Sequence, residues 1–583
     1  MSVSTDPALG VSAEAPEAPR RNELPWPWGV FGAAAVASAA LIMYQGRGLL
    51  FFFDEWGWIF DRRHLSMDAL LQGHAGHLSI FPVLVYDSFL WVFGLTNYTA
   101  FRGLLFGLHL TCATLAFVYL RRRVPPVVAL VPAVVLLFFG AAWQDLLWAF
   151  QIGFLMSVAA GVGALLLLDS GHRRADVGLM ICVAIALGSS SVGIPIVIGV
   201  GVELALRRAW SRGWVIAVPG ALYALWYAFY GSGYATTQTW ERALRTHPPG
   251  PAGRVRFVGE AAGAVVGSLT GVGSVAGQWL LLIVVPVVAV VIWRAGPARR
   301  PRLLMLAAIP VVYWVLLAQT RAGFQPASAS RYLYPGAVFV LLLAAECARG
   351  VHVPVLATVA IVAVGVAALV WNIDQFRDGR AYLLTGSSIG AIDMRANLGG
   401  IEIGARGVDA GYAAVRPPAA KDVRRYLSAF DDLGFPGSTV DELRAASPAL
   451  QVRADAYIVH AAGLRLTDPT PAAGPAPAVS PGPGGQPEGA SCLLLGSGGP
   501  SATEVRPRGA AIRIDALSGP VEVRLRNLAP TYYTGELPWT SVQAGQARDL
   551  PLPAVTAGPW HVGLRASGLY RVCGVAGFGV SGA

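Results

Sequence analysis

What most limits the fold of this chain is a succession of apolar stretches, each near the length of a bilayer crossing, divided by short loops rich in arginine. A spanning helix needs roughly 20 apolar residues, fewer where neighbours shelter it. By that measure spans are expected near 27–46, 99–120, 126–142, 150–168, 176–188, 192–206, 213–230, 277–293, 303–319, 335–348 and 353–371, about eleven in all. With 55% hydrophobic and 13% charged residues, the composition lies outside the soluble globular range. The chain therefore reads as an α-helical polytopic membrane protein.

The arginines give an orientation. Arg20 and Arg21 precede the first span, and clusters at 121–123, 173–174, 207–212, 294–302 and Arg349 fall at every second boundary. Basic loops stay on the cytoplasmic side, so the expected N-terminus is cytoplasmic and the C-terminus lies beyond the cytoplasmic membrane. The net charge of +10 then reports topology, and no nucleic-acid partner is expected. Residues 78–94 are apolar enough to span but hold Pro82 and Asp87, and counting them would place Arg121–Arg123 outside. They are expected to form an interfacial helix with Tyr86 and Trp91 at headgroup depth. The stretches 176–188 and 192–206, joined by GSSS, read as a short paired hairpin.

Five regions follow: a disordered cytoplasmic tail at 1–25, a membrane domain at 26–375, a mixed segment at 376–466, a Pro/Gly-rich linker at 467–490 and a β-domain at 491–583. AIRIDAL, VEVRLRNL and WHVGLRAS alternate apolar and polar residues, the pattern of a small extracytoplasmic β-sandwich. Cys492 and Cys573 flank it and are expected to pair as a disulfide in an oxidising compartment, whereas Cys112, Cys182 and Cys347 lie in apolar spans. Carbohydrate binding and a scaffold role both stay open for this domain.

Sorted by expected side, the uncommon polar residues Asp54, Glu55, His74, His77, Trp143, Gln144, Asp145, Gln151, Glu241, Arg321, Arg331 and Tyr332 all fall on the outer face. Carboxylates near hydrocarbon are costly, so Asp54 and Glu55 inside FFFDEWGWIF are expected at a working site, with solvated first-loop residues as the alternative. Two adjacent acids repel, which raises one pKa or recruits a cation. His74 and His77, three apart, would share a helix face and join a Mg or Mn site with Asp54 or Asp145, with interfacial hydrogen bonding as the alternative. Arg321 and Arg331 end adjacent spans, where two guanidinium groups suit a phosphate or diphosphate, with anchoring of the helices to lipid headgroups as the alternative. The polar loop 234–260 is long enough for a lid, but a surface loop with no catalytic role is the expected reading. With neither GxxxxGK[ST] nor a helix-opening GxGxxG on the inner loops, any activated donor is expected to be a lipid.

The runs DEWGWIFDRR, HAGHLSIFPVLVY and AAWQDLLWAFQIGF, with YLRRR closing a span and SRYLYP opening a late one, resemble the GT-C superfamily of integral-membrane glycosyltransferases, in a bacterial branch. The resemblance covers about residues 27–371. It implies a polyprenyl-phosphate-linked sugar donor, an outer-loop carboxylate as base and, in some members, a divalent cation. Asp54 would then be the base, Glu55 its neighbour for metal or acceptor, and Arg331 with Tyr332 the contacts for the lipid phosphate. The acceptor would be an envelope glycan or protein. Alternatives from other classes are a transporter or flippase for a lipid-linked glycan and a non-catalytic envelope-assembly protein.

Overall fold

The computed structural model describes residues 26–74, 76–170, 172–231, 250–386, 390–406, 414–415, 421–471, 474–479, 485–496, 503–508, 510–530 and 541–575. The tail 1–25, Glu241 and most of the 234–260 loop lie outside the described residues.

Helices form at all eleven expected positions. Among the described residues eight are long and apolar enough to cross a membrane: Trp26–Gln45, Tyr98–Arg121, Pro126–Leu147, Ala149–Leu168, Trp214–Gly231, Gly273–Arg294, Arg300–Arg321 and Val355–Thr385. Of the other three, Arg173–Ser189 and Gly193–Leu206 are short, at 17 and 14 residues, and Ser330–Cys347 holds Arg331 and Glu346. Only 6% of the apolar window in Gly273–Arg294 is buried by protein, leaving Trp279, Leu282, Ile283 and Val285 uncovered. A helix apolar on every face and so little covered needs hydrocarbon around it. The protein is a membrane protein.

One further helix, Pro251–Thr270, escaped the count because Arg254, Arg256 and Glu260 interrupt its apolar run. Small residues bury one face of it against Gly273–Arg294. A Cβ on Gly277 would sit 2.0 Å from the Gly263 carbonyl oxygen, and one on Gly267 2.0 Å from that of Gly273. The two backbones touch because no side chain holds them apart.

Ile80–Phe93 is a separate 14-residue helix. Trp91 is 83% exposed, whereas Tyr86 is turned inward and buried.

The last membrane helix, Val355–Thr385, runs 31 residues without a break through the expected boundary at 375; at 1.5 Å per residue it is about 46 Å long. Asn372 fixes it, donating to the Ser268 and Ala368 carbonyls and accepting from Ala141 N at 3.0 Å. Beyond it the helices Ala391–Ala405, Val440–Arg444 and Pro448–Ala461 share one core with the β-domain, so that Ile403, Leu443 and Ile458 pack with Val505, Ile514 and Val562. Segments 376–466 and 491–583 are thus not independent pieces.

The β-domain has two five-stranded antiparallel sheets. In the first, Ala547–Pro551, Ala511–Ala516, Tyr570–Val575, Cys492–Leu495 and Gln486–Glu488 lie in that order. The order in the second is Ala478–Val479, Thr503–Arg506, His561–Ala566, Val521–Arg526 and Ser541–Val542. Cys492 and Cys573 are opposite one another on adjacent strands and are bonded. Part of the stretch read as a linker is therefore sheet: Ala478–Val479 and Gln486–Glu488 are edge strands, where Pro487 can sit without forfeiting a ladder bond.

This assembly rests on the first loop. The helix Val423–Leu433 packs on the helix Asp54–Asp61, with Tyr426 against Phe60 and Trp56. Arg63 pairs with Asp432 at 3.0 Å and Arg425 with Asp61 at 2.9 Å. The C-terminal region and Asp54 thus share one end of the molecule.

Candidate active site

Asp54 opens an eight-residue helix immediately after Phe53, a non-glycine residue with φ 43°. A bulky residue in this sparsely populated region is strained, and such strain persists where the surroundings dictate it. Here the turn sends consecutive acids to different places, because successive helical residues point about 100° apart.

Asp54 faces a cavity of about 360 Å³. Its walls also hold His74, His77, Gln151, Arg321, Arg331 and Tyr332. Seven of the twelve polar residues expected on the outer face therefore line one hollow, although they come from four separate regions of the chain. The two arginines converge because Arg300–Arg321 ends at one, Ser330–Cys347 begins beside the other, and the turn between them reverses at Gly323, with φ 98°. Gln144 locks this corner: its backbone N–H donates to Ser330 Oγ at 3.1 Å and its Oε1 accepts from Arg331 N at 3.2 Å. The Arg331 guanidinium lies over the Tyr332 ring at 5.4 Å, and the Tyr332 hydroxyl donates to Gln325 Oε1. Tyr332 therefore orients Arg331 rather than offering a free hydroxyl to a ligand.

The Asp54 side chain is 29% exposed and lines the hollow. Burial lifts its pKa from 3.8 to about 6 against the pull of Arg331 and Arg321. It is ionised at neutral pH yet basic enough to accept a proton. Burial drives His74 down to about 3, with Arg62 adding to the effect, and drives His77 to about 3 as well, with Arg321, His74 and Arg331 contributing. Both imidazoles are thus neutral.

Glu55 and Asp145 stand apart from the cavity. Glu55 has no exposed surface and accepts from Phe52 N at 2.6 Å, Tyr86 Oη at 2.7 Å, Tyr98 Oη at 3.2 Å and Trp148 Nε1 at 3.2 Å. Burial pushes its pKa to about 8 and these four donors oppose the shift. It is a structural knot joining the first loop to Ile80–Phe93 and the Trp148 turn, not a contact for metal or acceptor. Asp145 is completely buried behind the wall, and among the described residues neither carboxylate oxygen has a hydrogen-bond partner.

His74 and His77 do not share a helix face. Their main chains exchange two hydrogen bonds, at 3.0 and 2.9 Å, with Gly76 at φ 81° between them. His74 Nε2 lies 3.9 Å from Asp54 Oδ1, too far for a hydrogen bond. Among the described residues no three His, Cys, Asp or Glu side chains gather closely enough to hold a metal ion. The donor set therefore does not fit the Mg or Mn site expected from His74 and His77 with Asp54 or Asp145.

No protein-family profile matches the chain. No curated protein sequence matches it either. Among solved structures, the crystal structure of ArnT from Cupriavidus metallidurans in the apo state aligns with a TM-score of 0.42 at 14% identity, over 72% of this chain and 91% of that one.

Several wall residues were not singled out from the sequence. Trp58 and Phe150, with ring centroids 4.7 Å apart, form an aromatic wall beside His74. Ser189 and Ser190, in the turn of the short hairpin, supply hydroxyls. The signal for the serines was present: a polar GSSS run between two apolar stretches that are too short to span independently.

Proposed function

We propose that this protein is a membrane glycosyltransferase of GT-C kind, which moves a sugar from a polyprenyl-phosphate-linked donor to an envelope acceptor outside the cytoplasmic membrane. The observation that carries this reading is the single cavity holding Asp54 opposite Arg321 and Arg331. In the reaction, the acceptor hydroxyl oxygen attacks the anomeric carbon and Asp54 takes the hydroxyl proton. The bond from that carbon to the phosphate oxygen breaks, and its electron pair leaves on the polyprenyl phosphate. Arg321 and Arg331 meet the charge that develops there, and such preorganised charge is usually the largest catalytic contribution. The Trp58–Phe150 wall offers an apolar surface for a sugar ring. Asp54 at about 6 suits a base at neutral pH.

The test is release of polyprenyl phosphate from a labelled polyprenyl-phosphate sugar by the reconstituted full-length protein. A positioned base contributes about 10²–10⁴-fold, so Asp54→Asn should lose at least the lower figure while inserting normally. Turnover of the donor by this variant at the parental rate would show the assignment to be wrong.

A further inference from the structure

The helices Arg300–Arg321 and Ser330–Cys347 end at the Asp54 cavity on one side and at a second cluster of charges on the other. At 1.5 Å per residue the first of them separates the two ends by about 33 Å. The far end opens into a cavity of about 530 Å³, lined by seven arginines against three carboxylates.

Part of this charge is structural. Arg123 pairs with Glu346 at 2.6 Å and Asp169 at 2.9 Å, and Arg302 with Asp169 at 2.8 Å and Glu203 at 2.9 Å, tying five helices together. What remains is unbalanced. Arg122 lines the cavity, is exposed and makes no ion pair or side-chain hydrogen bond among the described residues. Arg302 Nη1 has no hydrogen-bond partner among them, although that side chain is only 9% exposed. Surplus positive charge around a hollow calls for an anion with several acceptor oxygens.

Beside this cavity lies a groove of about 400 Å³ whose walls are apolar throughout, including Leu120, Val124, Ala345, Ala348, Ile361 and Val364. The two hollows are lined by residues that neighbour one another in the chain: Leu120 and Val124 line the groove and Arg122 and Arg123 the cavity, and Ala348 of the groove is followed by Arg349 of the cavity. A free phosphate needs the arginines alone, whereas a phosphate joined to a hydrocarbon chain fills both. We propose that this end of the bundle is a binding site for an anionic phospholipid, its phosphate among the arginines and one acyl chain in the groove. The positions of the arginine clusters favour the same leaflet, because anionic lipid is attracted to basic loops at the cytoplasmic surface.

The test is native mass spectrometry of the full chain in detergent, titrated separately with phosphatidylglycerol, phosphatidylcholine and inorganic phosphate. Phosphatidylglycerol should bind in preference to phosphatidylcholine. Two arginines beside an anionic headgroup should be worth about 30-fold in affinity, so the exposed pair Arg122→Gln and Arg207→Gln should remove most of that preference. Ala360→Phe, which fills the groove from an exposed position, should weaken the same lipid without touching a charge. Equal binding of the two lipids would overturn the proposal. So would tight binding of inorganic phosphate that Ala360→Phe leaves unchanged, since the ligand would then be a soluble phosphate.

Discussion

Replacing Asp54 by asparagine should make the protein more stable as well as inactive, and the gain should depend on pH in a defined way. The folded pKa of Asp54 is raised from 3.8 to about 6 by burial, so holding the ionised group in its cavity costs the folded state roughly 3 kcal/mol. The sign follows from proton binding: the folded protein holds this proton more tightly than the unfolded chain. The group's stabilising contribution is therefore complete below pH 3.8 and lost as pH rises through about 6. Asparagine has nearly the shape of the protonated acid and cannot ionise. The variant should match the parent near pH 3.8, draw ahead between there and pH 6, and keep a constant lead above it. Thermal unfolding in detergent at about pH 4 and about pH 7.5 reads this directly. A lead equal at both values, or no lead at neutral pH, would refute a buried working carboxylate.

Other consequences of the same geometry can be measured independently. Loss of the base by protonation should make kcat/KM fall as pH drops below about 6, by about tenfold per unit; a flat profile down to pH 5 would point away from Asp54. Arg331→Lys keeps the charge and loses the fork, so KM for the lipid donor should rise roughly tenfold, whereas an unchanged KM would remove Arg331 from the phosphate site. Glu55→Ala deprives four buried donors of their acceptor, and at about 1–3 kcal/mol for each group left unsatisfied it should lower the unfolding temperature sharply. Parental stability in that variant would contradict the structural role of Glu55.

Much of this arrangement was legible because ionisable residues are scarce in apolar chains. Asp54, Arg321 and Arg331 each stood out at the edge of a span, and a common side was enough to bring them into one discussion. Glu55 was not separable from Asp54, since adjacent letters give no hint that the helix begins between Phe53 and Asp54 and rotates one acid into the core. The histidine spacing misled for a related reason: an i, i+3 pair implies a shared face only within a helix, and Gly76 at φ 81° turns the chain instead. The Pro251–Thr270 helix was hidden because glycine and alanine pack it backbone to backbone, and its charged residues look like loop. In the linker, proline and glycine argued against strand, a rule that relaxes at a sheet edge, where Pro487 lies.

The most direct test of the central claim is a structure of the full chain bound to a polyprenyl phosphate. The account predicts the phosphate in the cavity between Arg321 and Arg331, within hydrogen-bonding reach of both and on the side facing Asp54. A phosphate seated instead among the arginines at the opposite end of the bundle, with the Asp54 cavity empty, would contradict it.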